Sequence, residues 1–349
     1  MRGKKLAIGL ASFFYLITGC TAMTKNATEF DWYATECGPD GYPMEIISGE
    51  FKYKDKSGGL YIPSGGTLFT GWGKSVSHHV VGPAKKPLPD RLEINYYSFA
   101  EKLFYRGSFE LPYEKILALF RQANIDRPGK PYYRSIMVGV APGGAVSVWV
   151  NGARRTEVFF GQAEKYEQLP FPMFGLPLET KEESDAYIAK QLVNVLEPEQ
   201  LESLKKNGIP FGVWARYRNL YKWVPVFKNK NKTDDDDMPV HFLNGELAWI
   251  PTQYDKDDEI TLRPLPRHIE VSVDVLGEYH FYIIEFEEFE LMEAFEKLGA
   301  KGETVYLELD AQVPRENMKI RLYNDQEPKD ENTPKEFIEL KKVFIEPQL

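Results

Sequence analysis

The chain has 349 residues, with 43 Lys or Arg against 52 Asp or Glu and a formal charge of −9 at pH 7. Nucleic acid is a poor partner for such a chain, because phosphates are held by lysine and arginine. The length suffices for two ordinary domains, and the cysteines Cys20 and Cys37 are too few for a disulfide framework.

Residues 1–19 read as a signal peptide. Arg2, Lys4 and Lys5 precede an apolar run from Leu6 to Ile17, and a small-residue site follows. The run is shorter than the roughly 20 residues of a spanning helix. Ile17-Thr18-Gly19-Cys20 resembles the bacterial lipobox. That resemblance implies that Cys20 is the lipid-modified first residue of the mature protein, which is then anchored to a membrane without spanning it. Thr21, where aspartate would favour inner-membrane retention, points by the same resemblance to the outer membrane, facing the periplasm. Residues 20–29 form the lipidated tether. Cys37 is left without a cysteine partner and reads as a small buried apolar residue.

The body is expected to be α+β, with two tandem repeats over 30–179 and 209–349, each a mainly antiparallel sheet with one packed helix. An internal duplication carries this expectation. Gly49-Glu50-Phe51 resembles Gly245-Glu246-Leu247, and Trp32 and Trp214 each open a unit. Pro87-Leu88-Pro89 leads into Leu92-Glu93-Ile94, as Pro264-Leu265-Pro266 leads into Ile269-Glu270-Val271. Glu101, Phe104, Tyr105 and Phe109 recur at the same offset as Glu278, Phe281, Tyr282 and Phe286. Tyr113, Ile116, Leu117 and Phe120 share one helix face, and Leu291, Ala294, Phe295 and Leu298 repeat the spacing. Alternating strands flank Pro142-Gly143-Gly144, and Val305, Leu307, Leu309, Met318, Ile320 and Leu322 give the second pair. Residues 180–208 read as a helical connector. Asn229 to Asp237 reads as a polar loop, and Phe337, Leu340, Val343 and Phe344 as one last strand or helix.

Chemical motifs are sparse. Gly71-Trp72-Gly73-Lys74-Ser75 has Leu68 where a phosphate loop needs glycine, and reads as a tight turn. There is no G-x-S-x-G elbow. His78, His79, His241, His268 and His280 lack the one-turn or two-turn spacing of a zinc helix, so surface or loop roles are expected. Asp234 to Asp237 lacks the calcium-loop pattern. No metal, cofactor or enzymatic activity is expected. Glu285, Glu287, Glu288, Glu290 and Glu293 lie in a run free of Lys and Arg. Like charges so dense repel unless water or a cationic partner screens them. The run is either a solvated helix face or an acidic patch that docks a basic protein. Trp72 is a further partner-binding candidate, and Trp72 and Tyr97 would serve a sugar ligand by stacking.

Trp32 with Tyr42-Pro43, Gly71-Trp72-Gly73, Pro87-Leu88-Pro89, Glu101 with Phe104-Tyr105, Leu111-Pro112, Gly143-Gly144 and Trp149 form a further set. In these the chain resembles bacterial lipoproteins grouped as domain-of-unknown-function family 2931. The resemblance covers residues 30 to 160 well, and the second copy has no clear counterparts of Trp72 and Trp149. It supplies no catalytic residues. Some members look like immunity proteins for lipase effectors of the type VI secretion system. The resemblance therefore implies a periplasmic lipoprotein that binds a secreted lipase effector, a phospholipase, and blocks it by occlusion. The alternatives are a ligand-binding or envelope-maintenance lipoprotein and a hydrolase using a carboxylate pair.

Overall fold

The structure, a computed structural model, describes residues 26–54, 57–123, 131–167, 180–228, 236–255, 257–275, 277–299, 302–310, 317–324 and 337–345. The signal segment, Cys20 and Asp234 lie outside these residues. The chain divides between Pro210 and Phe211 into two compact units. The fold is α+β, with mostly antiparallel sheets.

Unit 1 opens with β1 (Glu29–Phe30), β2 (Tyr33–Cys37), β3 (Met44–Tyr53), β4 (Gly59–Tyr61), β5 (Thr67–Leu68), β6 (Lys86–Pro87), β7 (Pro89–Ser98) and β8 (Leu103–Glu110). Helix α1 (Tyr113–Phe120), β9 (Tyr133–Val140), β10 (Ala145–Gly152), β11 (Arg155–Gln162) and β12 (Glu164–Tyr166) follow. Helices α2 (Lys181–Val195) and α3 (Pro198–Asn207) close the unit. The strands fall into two runs, β2-β9-β10-β11 and β12-β8-β7-β3-β4. A helix of eight residues is only about 12 Å long, too short to cover the apolar face of the second run alone. The first run completes the cover: Trp32, Phe51, Leu92, Ile116, Val138 and Val148 belong to one buried cluster. Strand β2 pairs with β9 in parallel, a direction that alternation of apolar residues does not specify.

Unit 2 contains α4 (Val213–Arg216), β13 (Tyr221–Lys228), β14 (Asp237–Phe242), β15 (Leu247–Pro251), β16 (Leu262–Arg263), β17 (Pro266–Val275) and β18 (Glu278–Phe286). It continues with α5 (Glu288–Gly299), β19 (Val305–Asp310), β20 (Lys319–Asn324), β21 (Ile338–Glu339) and β22 (Val343–Ile345). The runs are β16-β13-β19-β20-β21 and β15-β14-β17-β18-β22. Helix α5 buries Leu291, Met292, Ala294, Phe295 and Leu298.

The two units repeat one pairing scheme. Parallel β2–β9 corresponds to parallel β13–β19, and antiparallel β3–β7–β8 to β14–β17–β18. The Trp32 indole donates to the Pro87 carbonyl at 3.1 Å, and the Trp223 indole to the Pro264 carbonyl at 3.0 Å. Trp223 is therefore the counterpart of Trp32, and Trp214 sits in α4. A register slip recurs between Lys52 and Tyr53 where β3 meets β7, and between His241 and Phe242 where β14 meets β17. The slip aligns β3 with β14. Gly245-Glu246-Leu247 instead runs from the turn after β14 into β15, so it does not match the mid-strand Gly49-Glu50-Phe51.

The pairing also moves two later matches. Strand β7 ends at Ser98 and β8 begins at Leu103, whereas β17 ends at Val275 and β18 begins at Glu278. The second hairpin is tighter, and the offset read from sequence slips there. Tyr113 opens α1 and Glu288 opens α5, so Ile116 and Leu117 correspond to Leu291 and Met292. The expected match lay one turn further on, at Ala294 and Phe295. A one-turn shift keeps the same buried face.

Candidate functional site

The acidic run is largely engaged within unit 2. Glu287 precedes α5, and its carboxylate accepts the Glu290 N–H at 2.8 Å, satisfying an amide that the helix leaves free. Glu288 accepts the Tyr217 hydroxyl at 2.6 Å and lies 3.8 Å from the Arg267 guanidinium. Glu290 accepts the backbone N–H groups of Lys341 and Lys342 at 3.1 and 2.9 Å, tying down the chain before β22. Glu296 pairs with Arg216 at 2.8 Å. The run is thus not an open acidic patch. Its repulsion is relieved by the helix start, by backbone amides and by cations distant in sequence. Glu293 is exposed and Glu285 half-buried.

Trp72 is no surface anchor. It is 3% exposed and meets Trp149 edge to face, with ring centroids 5.1 Å apart. Tyr97 is 2% exposed, so neither ring offers a stacking surface. Gly139 makes room for Trp149, since a Cβ there would lie 2.6 Å from the indole. Glu101 accepts the Tyr105 hydroxyl at 2.7 Å and the Gly143 N–H at 3.0 Å, holding a turn in which Gly143 has φ +73°. The Gly73 N–H points to the Cys37 sulfur at 3.4 Å, and burial pushes the Cys37 thiol up to about 12. Cys37 in the folded protein is therefore expected to resist an aromatic disulfide reagent at pH 8 and to react once the chain is unfolded. Rapid stoichiometric labelling of Cys37 in the native state would contradict this packing.

The register shows what unit 2 carries in place of Trp149 and its neighbours. The positions of Cys37, Met137 and Trp149 are taken in unit 2 by Lys228, Glu308 and Arg321. Glu308 is buried and lies 2.8 Å from Lys228 and 3.4 Å from Arg321. Charge pairing replaces the aromatic packing of unit 1.

A side-chain cluster unforeseen from sequence lies on the second sheet of unit 2. Val240, Ile269 and Val271 are buried in that sheet, and the alternating His241, His268 and Glu270 take its opposite face. Pairing sets His241 directly across from His268, and Glu285 across from His268 on the other side. The two imidazoles stack with centroids 3.9 Å apart at 23°. One oxygen of Glu270 lies 3.3 Å from Nε2 of His268 and 3.6 Å from Nε2 of His241. The three residues present ligand atoms within 4.8 Å of one another. This corrects the expectation of separate surface or loop histidines: cross-strand register joins what helical spacing does not. His268-x-Glu270 in a duplicated strand was the available signal. Its counterparts in unit 1 are Lys52, Arg91 and Glu93, where Lys52 lies 2.6 Å from Glu50 and 3.6 Å from Glu93.

Two further carboxyls are buried in unit 1. Glu36 on β2 accepts the Ser77 hydroxyl at 2.8 Å, and Glu45 lies on β3. Burial raises each to about 7.

The family described as "Protein of unknown function (DUF2931)" matches residues 20–212. The chain belongs to this family. The DUF2931 match takes in unit 1 with α2 and α3, and ends where unit 2 begins. The histidine cluster therefore lies beyond the DUF2931 segment. No curated protein and no solved structure matched the chain.

Proposed function

We propose that this DUF2931 protein is a lipid-anchored periplasmic protein that binds and neutralises a toxic effector, a phospholipase delivered by type VI secretion. The observation that carries this reading is the sequence Ile17-Thr18-Gly19-Cys20 after a short apolar leader. Acylation of Cys20 concentrates the chain at the membrane that a lipase attacks. Neutralisation by occlusion needs a shaped surface and no catalytic group. Interfaces favour large aromatic anchors, and Trp249 on β15 and Phe344 on β22 are 46% and 68% exposed. Glu285 and Glu293 add negative charge to the same unit. The reading is tested by deleting the gene from a strain that keeps the neighbouring effector. The deletion strain is expected to be killed by its wild-type siblings and rescued by the intact gene, but not by C20S. Unharmed survival of the deletion strain would end the proposal.

A further inference from the structure

The cross-strand cluster on unit 2 carries a separate inference that does not depend on the effector reading. We propose that His241, His268 and Glu270 bind one divalent transition-metal ion of the zinc type, leaving a coordination position open to solvent.

His268 Nε2 and Glu270 share a long hydrogen bond of 3.3 Å, and the spacing of the cluster also suits an ion. Ligand atoms about 2.1 Å from a tetrahedral zinc stand about 3.4 Å from one another. The two imidazole-to-carboxylate distances are 3.3 and 3.6 Å. A charge-assisted hydrogen bond would close to about 2.7–2.9 Å. One carboxylate oxygen is thus held at a ligand edge from both imidazoles. Two imidazole nitrogens and one carboxylate oxygen form a donor set that zinc accepts, with the fourth position left for water.

The scaffold suits the task. All three residues stand on paired strands rather than loops, so their backbone positions are fixed before an ion arrives. The register slip next to His241 re-aims a side chain at this point. Glu285 stands across from His268 in the register and places a second carboxylate on the neighbouring strand.

Unit 1 has the same slip and a glutamate at the same place, Glu93, but its neighbours are Lys52 and Arg91. There the carboxylate meets a permanent cation. In unit 2 the lysine and the arginine are both replaced by histidine, which is neutral when it binds metal and leaves room for an external cation. The two units therefore solve one electrostatic problem in two ways, with a built-in ammonium in the first and a bound ion in the second.

The full-length chain, purified in detergent and stripped with chelator, is titrated with Zn²⁺ by calorimetry and with Co²⁺ by visible absorption. One equivalent of Zn²⁺ is expected to bind, and Co²⁺ to give the strong d–d bands of a four-coordinate site. The double substitution H241K/H268R installs the side chains that unit 1 already carries in this scaffold. It is expected to keep the metal-free melting temperature and to weaken binding by ~100-fold or more. The near-isosteric E270Q decides the matter should the double variant fail to fold. H78N/H79N, altering exposed histidines of unit 1, is expected to bind as the parent does. Absence of saturable Zn²⁺ uptake would overturn the proposal, as would binding undiminished in both E270Q and H241K/H268R.

Discussion

Replacing Trp149 by alanine is expected to lower the unfolding free energy by about 3–5 kcal/mol, the usual cost of deleting a fully buried large aromatic. Trp149 is wholly buried, lies edge to face against Trp72 and fills the space that Gly139 leaves. Its removal strips apolar contacts from both sides and leaves a cavity beneath the Gly71-Trp72-Gly73 turn. Trp72→Ala is expected to cost a similar amount. Because the rings touch, the double variant is expected to lose less than the two single losses combined. Urea denaturation followed by circular dichroism measures all three. A loss below about 1 kcal/mol for Trp149→Ala would mean that the pair does not pack as described.

The second large effect is a loss of stability as pH rises from 5 to 8. Burial holds Glu36 and Glu45 at about 7, against an ordinary value of 4.5. Between those values the folded chain keeps protons that the unfolded chain has released. Stability therefore falls with increasing pH across this window and levels off above about 7. Below 4.5 the contribution is fully present. At about 1.4 kcal/mol per pH unit, each carboxyl contributes on the order of 3 kcal/mol. Melting temperatures between pH 5 and pH 8 should show the decline, and E36Q and E45Q should each flatten part of it. A melting temperature that rises from pH 5 to pH 7 would refute the assignment.

The duplication was legible where local pattern determines structure. Pro87-Leu88-Pro89 and Pro264-Leu265-Pro266 do lead into equivalent strands, and the apolar faces of α1 and α5 are the buried ones. Finer alignment was hidden, because a shift of one helical turn or of two strand residues preserves the apolar face. Trp214 stood in for Trp223 because sequence gives no sign of which indole will reach a proline carbonyl. The acidic run misled for a related reason. Apart from the Glu290 N–H that Glu287 holds, its partners are Tyr217, Arg216, Arg267 and the amides of Lys341 and Lys342, all outside the run. The histidine pair was invisible to helical spacing because its two members come from different strands, joined only by register.

Parallel pairing within each unit has a consequence for how far the chain can be cut. Tyr33 aligns with Ser135, and Trp223 with Val305, so each leading strand finds its neighbour only after the helix and hairpin between them. Such closure across long sequence separation raises contact order. The smallest contiguous fragment that holds the parallel pair of unit 1 runs from Tyr33 to Val140, and that of unit 2 from Tyr221 to Asp310. A truncation ending at α1 or α5 strands the opening tryptophan beside a vacant edge, which makes each unit an all-or-none piece of architecture.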